Sequence, residues 1–137
     1  MHTSDTDVYD VHDYTQTEEK FVSRYREGYY HMYGDHNGSR RGQPYMVTEF
    51  GGIHWDADGG GESWGYGTAP KTEAEFLARF EMLVRTLLSN PSCTGFCYTQ
   101  LYDVEQEKNG LYTYQRVPKF DPAYIHAIVS AKAAMEL

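Results

Sequence analysis

Short apolar runs alternate with segments of helical periodicity along this chain. The apolar runs lie at residues 7–12, 45–50 and 94–101, and polar or turn-forming residues bound each of them. Runs of this length that are rich in valine, tyrosine and phenylalanine are typical of β-strands. The pattern therefore predicts three strands.

The segment between the second and third strands carries the clearest helical pattern. Apolar side chains recur three and four residues apart over 76–88, and an Asn-Pro pair follows at 90–91. Thr72 and Glu75 have the spacing of a capping box. The pattern predicts an amphipathic helix that begins after Thr72 and ends before the proline.

Two weaker patterns predict further helices. Thr15 and Glu18 form another candidate capping box, and aromatic residues recur at helical spacing up to about Tyr33. The turn-forming segment 35–44 ends this helix. A last helix is predicted to start at the Asp-Pro pair at 121–122, because aspartate caps helices and proline is favoured in their first turn.

The predicted order is strand, helix, strand, helix, strand, helix. Strands that alternate with helices at this spacing pair in parallel through right-handed crossovers, which gives the α/β class. A parallel sheet of three strands has open edges, and a complete (β/α)8 TIM barrel needs about 250 residues. We therefore interpret residues 1–137 as a single partial domain, about three eighths of such a barrel.

Composition narrows the classes of partner. The net charge is −8 and the lysines and arginines are scattered, which disfavours nucleic acid and anionic membranes. No apolar stretch approaches the roughly 20 residues that cross a bilayer. The first residues lack the pattern of a signal peptide, which favours a cytoplasmic location over secretion, and whether Met1 is a natural start is left open.

Aromatic side chains are frequent and partly gathered in one loop. The sequence contains thirteen tyrosines and two tryptophans, and such rings are common where sugars and other flat polar ligands bind. The glycine-rich segment 51–70 lacks the spacing of a phosphate-binding loop. We interpret it as a mobile lid that brings Trp55, Trp64 and Tyr66 to the rim of a pocket.

Polar residues gather where the predicted strands end, at 10–14, 49–52 and 98–100. The chemistry of parallel barrels lies at the carboxyl ends of the strands, so a pocket is predicted there. A buried, unpaired carboxylate costs several kcal/mol, and Glu49 is therefore expected to face this pocket. Composition alone leaves the alternative that backbone groups or an arginine hold this carboxylate.

Metal binding is a second possible use of these strand ends. Asp10, His12 and Asp13 could suggest a metal site, but no second cluster supplies further ligands at a readable spacing, so a polar strand end is favoured. Cys93 and Cys97 lack a second cysteine pair and are interpreted as reduced, structural thiols. No cofactor is expected.

Three stretches of the sequence occur in a recognisable order: VTEFGGI, WGYG and GFCYTQLYDVEQEKNGLYTYQRVPKF. Together they resemble the carboxy-terminal part of the catalytic barrel in glycoside hydrolase family 2, which includes β-galactosidases, β-glucuronidases and β-mannosidases. The likeness covers about residues 7–130. It implies a hydrolase fragment that contains about strands 6 to 8 of the barrel with their helices.

The resemblance implies roles for individual residues. Glu49 matches the nucleophile of a retaining mechanism. Tyr14 is the preferred match for the tyrosine that contacts this nucleophile, and His12 is the next candidate. Tyr98 stands where the family often carries a tryptophan below the sugar, so the pattern departs there while an aromatic ring is kept. The further candidate substrate-binding residues are Trp55, Trp64, Gln100 and Glu105.

The resemblance also identifies a missing group. The family's acid/base glutamate follows an asparagine on strand four, and this sequence has no Asn-Glu pair. Because a general acid contributes about 10² to 10⁴ in rate, the isolated chain is expected to be inactive or very weak. Its expected partners are a β-glycoside and either the remainder of the barrel or another copy of the chain.

The loop after the third strand bears on the sugar. Residues 107–109 read Glu-Lys-Asn where β-glucuronidases of the family carry Asn-x-Lys for the substrate's carboxylate. A neutral, galactoside-like hexoside is therefore favoured, and mannose and other sugars stay open. The alternative to an enzyme fragment is a non-catalytic partial barrel that self-associates or binds sugars.

Overall fold

Three strands form one parallel sheet. The computed structural model describes residues 6–26, 28, 42–57, 59–60 and 62–136. The strands lie side by side in chain order, as β1 (Tyr9–Asp13), β2 (Tyr45–Gly51) and β3 (Cys93–Thr99). Both neighbouring pairs are parallel, which confirms the three predicted strands and the α/β class.

The third strand is shorter than predicted. It ends at Thr99, which a cis peptide bond joins to Gln100. The N–H of Gln100 donates to the carbonyl of Asn109 at 3.4 Å, and the N–H of Leu111 donates to the carbonyl of Gln100 at 3.2 Å. The chain therefore leaves the sheet at residue 100 because it pairs with its own following loop.

Three α-helices accompany the sheet. Helix α1 (Glu18–Tyr25) connects β1 to β2, α2 (Glu73–Leu88) connects β2 to β3, and α3 (Pro122–Val129) follows β3. A short 3-10 helix occupies Ala134–Glu136. Within the described ranges, no helix has both the length and the apolar character to cross a membrane.

Two of the predicted helix starts are confirmed. The Thr72 side chain accepts a hydrogen bond from the N–H of Glu75 at 3.1 Å, and the Glu75 carboxylate reaches back to the N–H of Lys71 at 2.7 Å. At α3, the Asp121 carboxylate accepts from the N–H of Ala123 at 2.9 Å. These bonds satisfy backbone donors that have no partner inside the helix, as the sequence patterns predicted.

The start of α1 was predicted wrongly. Its N-cap is Thr17, without a side-chain cap hydrogen bond, and not Thr15. The N–H of Thr15 instead donates to the Asp13 carboxylate at 2.9 Å, so the end of β1 holds this residue outside the helix. Helix α1 ends at Tyr25, and residues 29–33 of the predicted helix lie outside the described residues.

Aromatic rings fill much of the space between the sheet and the helices. Phe50 of β2 lies 6.5 Å from Phe21 of α1 and 5.6 Å from Tyr98 of β3, measured between ring centroids. Phe80 of α2 lies 5.0 Å from the same Tyr98 ring. Rings from α1 and α2 therefore pack on the sheet face that carries Phe50 and Tyr98.

A bulge in the pairing of β1 with β2 sets the direction of the strand-end side chains. Val11 pairs with Val47, whereas the next residue, His12, pairs with Glu49, so Thr48 is an extra residue in β2. Bulges of this kind re-aim side chains and are frequent beside active sites. The bulge brings Glu49 opposite His12 at the carboxyl end of the sheet.

A buried carboxylate joins the end of β1 to α1. Asp13 is completely buried, and one of its oxygens accepts from Arg24 at 2.8 Å and from the N–H of Thr15 at 2.9 Å. Its second oxygen accepts from the Tyr25 hydroxyl at 3.2 Å. Asp13 thus supports the fold from the helix side of the sheet.

Tyr25 is expected to make the protein less stable in alkali. Burial, with Tyr45 and Asp13 nearby, raises the pKa of Tyr25 far above its usual value. The folded protein therefore keeps a proton that the unfolded chain loses near pH 10, and the free energy of unfolding falls as pH rises above about 10. A single group of this kind gives a slope of about 1.4 kcal/mol per pH unit.

Urea unfolding of the wild type and of a Tyr25→Phe variant between pH 9 and 11 measures this slope. The variant has no proton to lose at this position, so its stability is expected to fall less steeply with pH. Identical slopes for the two proteins would contradict the assignment.

Candidate active site

Glu49 lies near the end of β2, and its side chain is 43% exposed. The hydroxyl of Tyr14, just after β1, donates to Oε2 of Glu49 at 2.5 Å and lies 3.4 Å from the Thr99 hydroxyl at the end of β3. The ends of all three strands therefore meet around one carboxylate. The contact between Tyr14 and Glu49 is the one that the resemblance implies, and their catalytic roles stay predictions.

His12 approaches the same carboxylate oxygen. Its Nδ1 atom lies 3.2 Å from Oε2 of Glu49, and its Nε2 atom lies 3.8 Å from the Asp10 carboxylate. Across the part of the chain that the structure describes, the hydrogen bonds and ion pairs of Glu49 are made through Oε2. One oxygen of this carboxylate is therefore held in place, while Oε1 has no bond to a described side chain.

Tyr14 is suited to be a hydrogen-bond donor to this carboxylate. Burial raises the pKa of Tyr14 above its usual value, and the hydrogen bond to Glu49 raises it further. The phenol therefore keeps its proton through the neutral range. A donor that stays protonated holds the carboxylate in one orientation without adding a charge to the site.

Two glycines after Glu49 allow aromatic rings to approach the strand end closely. Gly51 has a φ angle of +80°, and a Cβ atom there would lie 2.3 Å from the ring of Tyr98. Gly52 has a φ angle of +59°, and a Cβ atom there would lie 2.5 Å from Tyr66 and 3.2 Å from Tyr14. A side chain at either position would displace these rings, which explains why glycines follow the carboxylate.

The loop after β2 places two aromatic rings beside Tyr14. The Tyr66 ring stacks on the Tyr14 ring with 3.7 Å between centroids and 12° between planes. The Trp64 ring meets Tyr66 edge to face at 5.9 Å, and Trp64 is 49% exposed. Rings therefore extend from the Glu49 carboxylate toward solvent, as a surface on which a sugar or an aromatic group could stack.

The predicted lid is anchored to its surroundings. The N–H of Tyr66 donates to the carbonyl of Gly52 at 2.8 Å. The N–H of Trp64 donates to the carbonyl of Gln106 at 2.9 Å, and the Trp64 carbonyl accepts from the N–H of Lys108 at 2.8 Å. The loops after β2 and β3 are thus hydrogen-bonded to each other beside the site, and motion of the lid stays a prediction.

Trp55 and Tyr98 are partly buried and pack against the hydrophobic core. The Trp55 ring packs against the core, 6.3 Å from the Phe76 ring and 6.4 Å from the Phe120 ring. The Tyr98 ring packs on the helix side of the sheet, and its hydroxyl accepts from the N–H of Ile53 at 3.2 Å. The structure does not bring these two rings to the hydrogen bonds of Glu49.

Gln100 and Glu105 occupy different environments in the loop after β3. The Nε2 atom of Gln100 is buried without a hydrogen-bond partner, as is the Oδ1 atom of Asn109. Glu105 is exposed and has a φ angle of +51°, at a tight turn between Val104 and Glu107. Neither side chain contacts Glu49, so a role for them in binding a substrate stays a prediction.

An ion-pair cluster supports this second loop. Asp103 and Lys119 are both almost fully buried, and Nζ of Lys119 lies 2.6 Å from the Asp103 carboxylate and 2.7 Å from the carbonyl of Trp55. Burial lowers the pKa of Lys119, and Asp103 opposes that effect. Lys108 lies 3.9 Å from the same carboxylate. The cluster joins the loop after β3 to the loop after β2.

The strand ends do not assemble a set of metal ligands. Asp13 lies on the helix side of the sheet, bonded to Arg24, whereas Asp10 and His12 lie near Glu49. Among residues 6–26, 28, 42–57, 59–60 and 62–136, no group of three His, Cys, Asp or Glu side chains is arranged to hold a metal ion. Cys93 and Cys97 are both free thiols.

Some residues of the site could not be found from sequence patterns. Thr99 lies beside Tyr14, and Gln16 and Arg79 connect the site to α2. A glutamine in a short polar segment and an arginine on an amphipathic helix are common in sequences, so neither residue could be recognised as part of a site. Tyr66 was predicted at the rim of the pocket, and Gly52 admits its ring, because a Cβ atom at Gly52 would lie 2.5 Å from that ring.

Comparison with known proteins does not assign this chain to a family. A scan against models of known protein families finds no match, and a search of curated proteins also finds none. A function for the chain therefore has to be argued from its sequence motifs and from the geometry of the site around Glu49.

Proposed function

We propose that this chain is the carboxy-terminal part, about strands 6 to 8, of the barrel of a retaining β-glycoside hydrolase related to glycoside hydrolase family 2. The observation that carries the proposal is that only one of the two carboxylate oxygens of Glu49 is held by described side chains. Tyr14 and His12 contact Oε2, while Oε1 has no such contact among the described residues. A carboxylate held by one oxygen is oriented for attack through the other.

The chemistry follows that of retaining glycosidases. Oε1 of Glu49 attacks the anomeric carbon, the bond to the leaving oxygen breaks, and a glycosyl ester forms on Glu49. Water then attacks the same carbon and releases the sugar with its original configuration. Tyr14 donates to Oε2 throughout and fixes the angle from which Oε1 approaches.

A second carboxyl group is needed about 5 to 5.5 Å from the nucleophile to protonate the leaving group. The sequence contains no Asn-Glu pair, so we assign this acid/base to the remainder of the barrel or to another chain. Within the described residues, the outer edges of β1 and β3 have no partner strand. Further strands could add there and bring the missing group.

The loop after β3 favours a neutral sugar. Lys108 is the lysine closest to the position that would bind a uronic acid, and its Nζ atom lies 3.9 Å from the buried Asp103 carboxylate. The same carboxylate also pairs with Lys119 at 2.6 Å, so it offsets the charge of Lys108 only in part. Glu107 accepts from the Asn109 amide at 2.9 Å and adds a negative charge nearby. A galactoside-like hexoside fits this environment better than a uronic acid.

The alternative function is a non-catalytic partial barrel that self-associates or binds sugars. The exposed ring of Trp64, next to Tyr66, favours this second candidate, because stacking on a sugar needs no acid/base group. The two candidates differ in whether Glu49 forms a bond to the sugar.

Trapping of the glycosyl intermediate tests the proposal. The purified chain is incubated with 2-deoxy-2-fluoro β-glycosides of galactose, glucose, mannose and glucuronic acid that carry a dinitrophenyl group. Such leaving groups need no proton donor, and we expect a covalent adduct on Glu49 from a neutral sugar, located by peptide mass mapping. An adduct on another residue would contradict the proposal. Sugar binding without any adduct would support the non-catalytic alternative.

A further inference from the structure

The Gln16 side chain lies where the end of β1, the end of β2 and the returning loop after β2 meet. Its Nε2 atom donates to the carbonyl of Gly51 at 2.6 Å and to the carbonyl of Tyr66 at 2.8 Å. Gly67 packs directly on this amide, because a Cβ atom at Gly67 would lie 2.7 Å from Oε1 of Gln16. One amide group therefore joins three segments beside the site.

Arg79 of α2 fixes the orientation of this amide. Its Nη1 atom donates to Oε1 of Gln16 at 2.9 Å and to the carbonyl of Thr68 at 2.6 Å. A guanidinium group has donors only, so it can pair with the oxygen of the amide and not with its nitrogen. Arg79 therefore directs the Gln16 nitrogen toward the two carbonyls that need a donor.

The bonds of Gln16 determine where the Tyr66 ring stands. The backbone of Tyr66 is held on one side by Gln16 and on the other by its own N–H bond to the carbonyl of Gly52. Held in this way, the ring stacks on Tyr14 at 3.7 Å. The stacked ring limits the rotation of Tyr14, whose hydroxyl contacts Glu49.

We propose that Gln16 is a positioning residue for Glu49. Oriented by Arg79, it holds Tyr66 against Tyr14 and thereby keeps the Tyr14 hydroxyl on Oε2. The inference rests on the proposed function of Glu49 as the nucleophile. It assigns to α2, which does not touch Glu49, a part in setting the direction of the carboxylate.

Nitration of Tyr14 reports on this arrangement without requiring activity. Tetranitromethane reacts with the phenolate, and peptide mass mapping at pH 8 measures the rate at each tyrosine. Burial and the bond to Glu49 both raise the pKa of Tyr14, so release of the ring lowers the pKa and increases the rate. A lowering by one unit increases the phenolate fraction about tenfold.

The variants are Gln16→Leu, Arg79→Met and Arg79→Lys. We expect the nitration of Tyr14 to become about tenfold faster in Gln16→Leu and Arg79→Met, and to stay near the wild-type rate in Arg79→Lys, which keeps a donor for the amide. The exposed Tyr114 serves as the internal reference in the same digest. If Gln16→Leu does not fold, the contrast between the two Arg79 variants decides the question.

A general loss of stability is separated from positioning by a control variant. Thr72→Ala removes the N-cap of α2 but leaves the contacts of Gln16 intact, so it is expected to leave the nitration of Tyr14 unchanged. A rate within about twofold of the wild type in Gln16→Leu and in Arg79→Met would overturn the proposal, because a tenfold change is expected.

The same variants test the consequence for the nucleophile. The rate of adduct formation on Glu49 is expected to fall about tenfold in Gln16→Leu and in Arg79→Met. A tenfold lower rate corresponds to an activation free energy that is higher by about 1.4 kcal/mol. If the wild type forms no adduct, the proposed function fails, while faster nitration in the variants still supports the role of Gln16 in placing Tyr14. An unchanged adduct rate beside faster nitration would overturn the link to Glu49.

Discussion

Replacement of Glu49 by glutamine is expected to abolish the formation of a glycosyl adduct on this chain. Glutamine has the same length and still offers an oxygen to the Tyr14 hydroxyl, which donates to Glu49 at 2.5 Å. A neutral amide is a poor nucleophile, and loss of a catalytic nucleophile typically costs on the order of 10⁴ to 10⁶ in rate. Intact-mass measurement after incubation with the fluorinated glycosides checks this result.

Glu73→Gln is the matched control for this variant. Glu73 is exposed in the first turn of α2, away from the site, and the same chemical change there is expected to leave the adduct rate unchanged. Circular dichroism spectra of both variants show whether they fold like the wild type. An adduct that persists in Glu49→Gln would locate the nucleophile at another residue.

Replacement of Asp13 by alanine is expected to lower the free energy of unfolding by about 3 to 5 kcal/mol. The carboxylate is completely buried and accepts hydrogen bonds from Arg24, Tyr25 and the N–H of Thr15. Its removal takes the carboxylate partner from the partly buried guanidinium of Arg24 and an acceptor from the Tyr25 hydroxyl and the N–H of Thr15. Because small domains have only about 5 to 15 kcal/mol of stability, this loss is a large fraction of the total.

Urea unfolding at pH 7 measures the effect of this substitution. Asp7→Ala is the matched control, because Asp7 is exposed two residues before β1, and its loss is expected to change stability by less than about 0.5 kcal/mol. A loss below about 1 kcal/mol for Asp13→Ala would contradict the assigned role, since the partly buried charge of Arg24 would then not depend on Asp13.

Local signals in the sequence were sufficient for several elements. The apolar stripe of α2 and its N-cap Thr72 were predicted because periodicity and capping depend on residues within one or two turns. The Asp121 cap of α3 was predicted for the same reason. The position of Glu49 near a strand end also follows from a local pattern, an apolar run broken by two glycines.

Other features depended on residues that are distant in the sequence. Helix α1 starts at Glu18 because the carboxylate of Asp13 holds Thr15, and that carboxylate is itself held by a residue of the helix. Both tryptophans stood in the same glycine-rich loop, yet the Trp55 ring packs on the core while Trp64 is exposed. Sequence composition treats two such residues alike because it contains no information on which partner each ring meets.

The sequence by itself determined the α/β class, the three strands, the helix α2 and the location of a carboxylate at the end of β2, because short-range periodicity and turn chemistry encode them. Only the tertiary structure decided how that carboxylate is held. The bond from Tyr14 to Glu49 spans 35 positions, and the bond from Arg79 to Gln16 spans 63. Contacts at such separations form when parallel strands and their crossover helices assemble, and no local pattern specifies them.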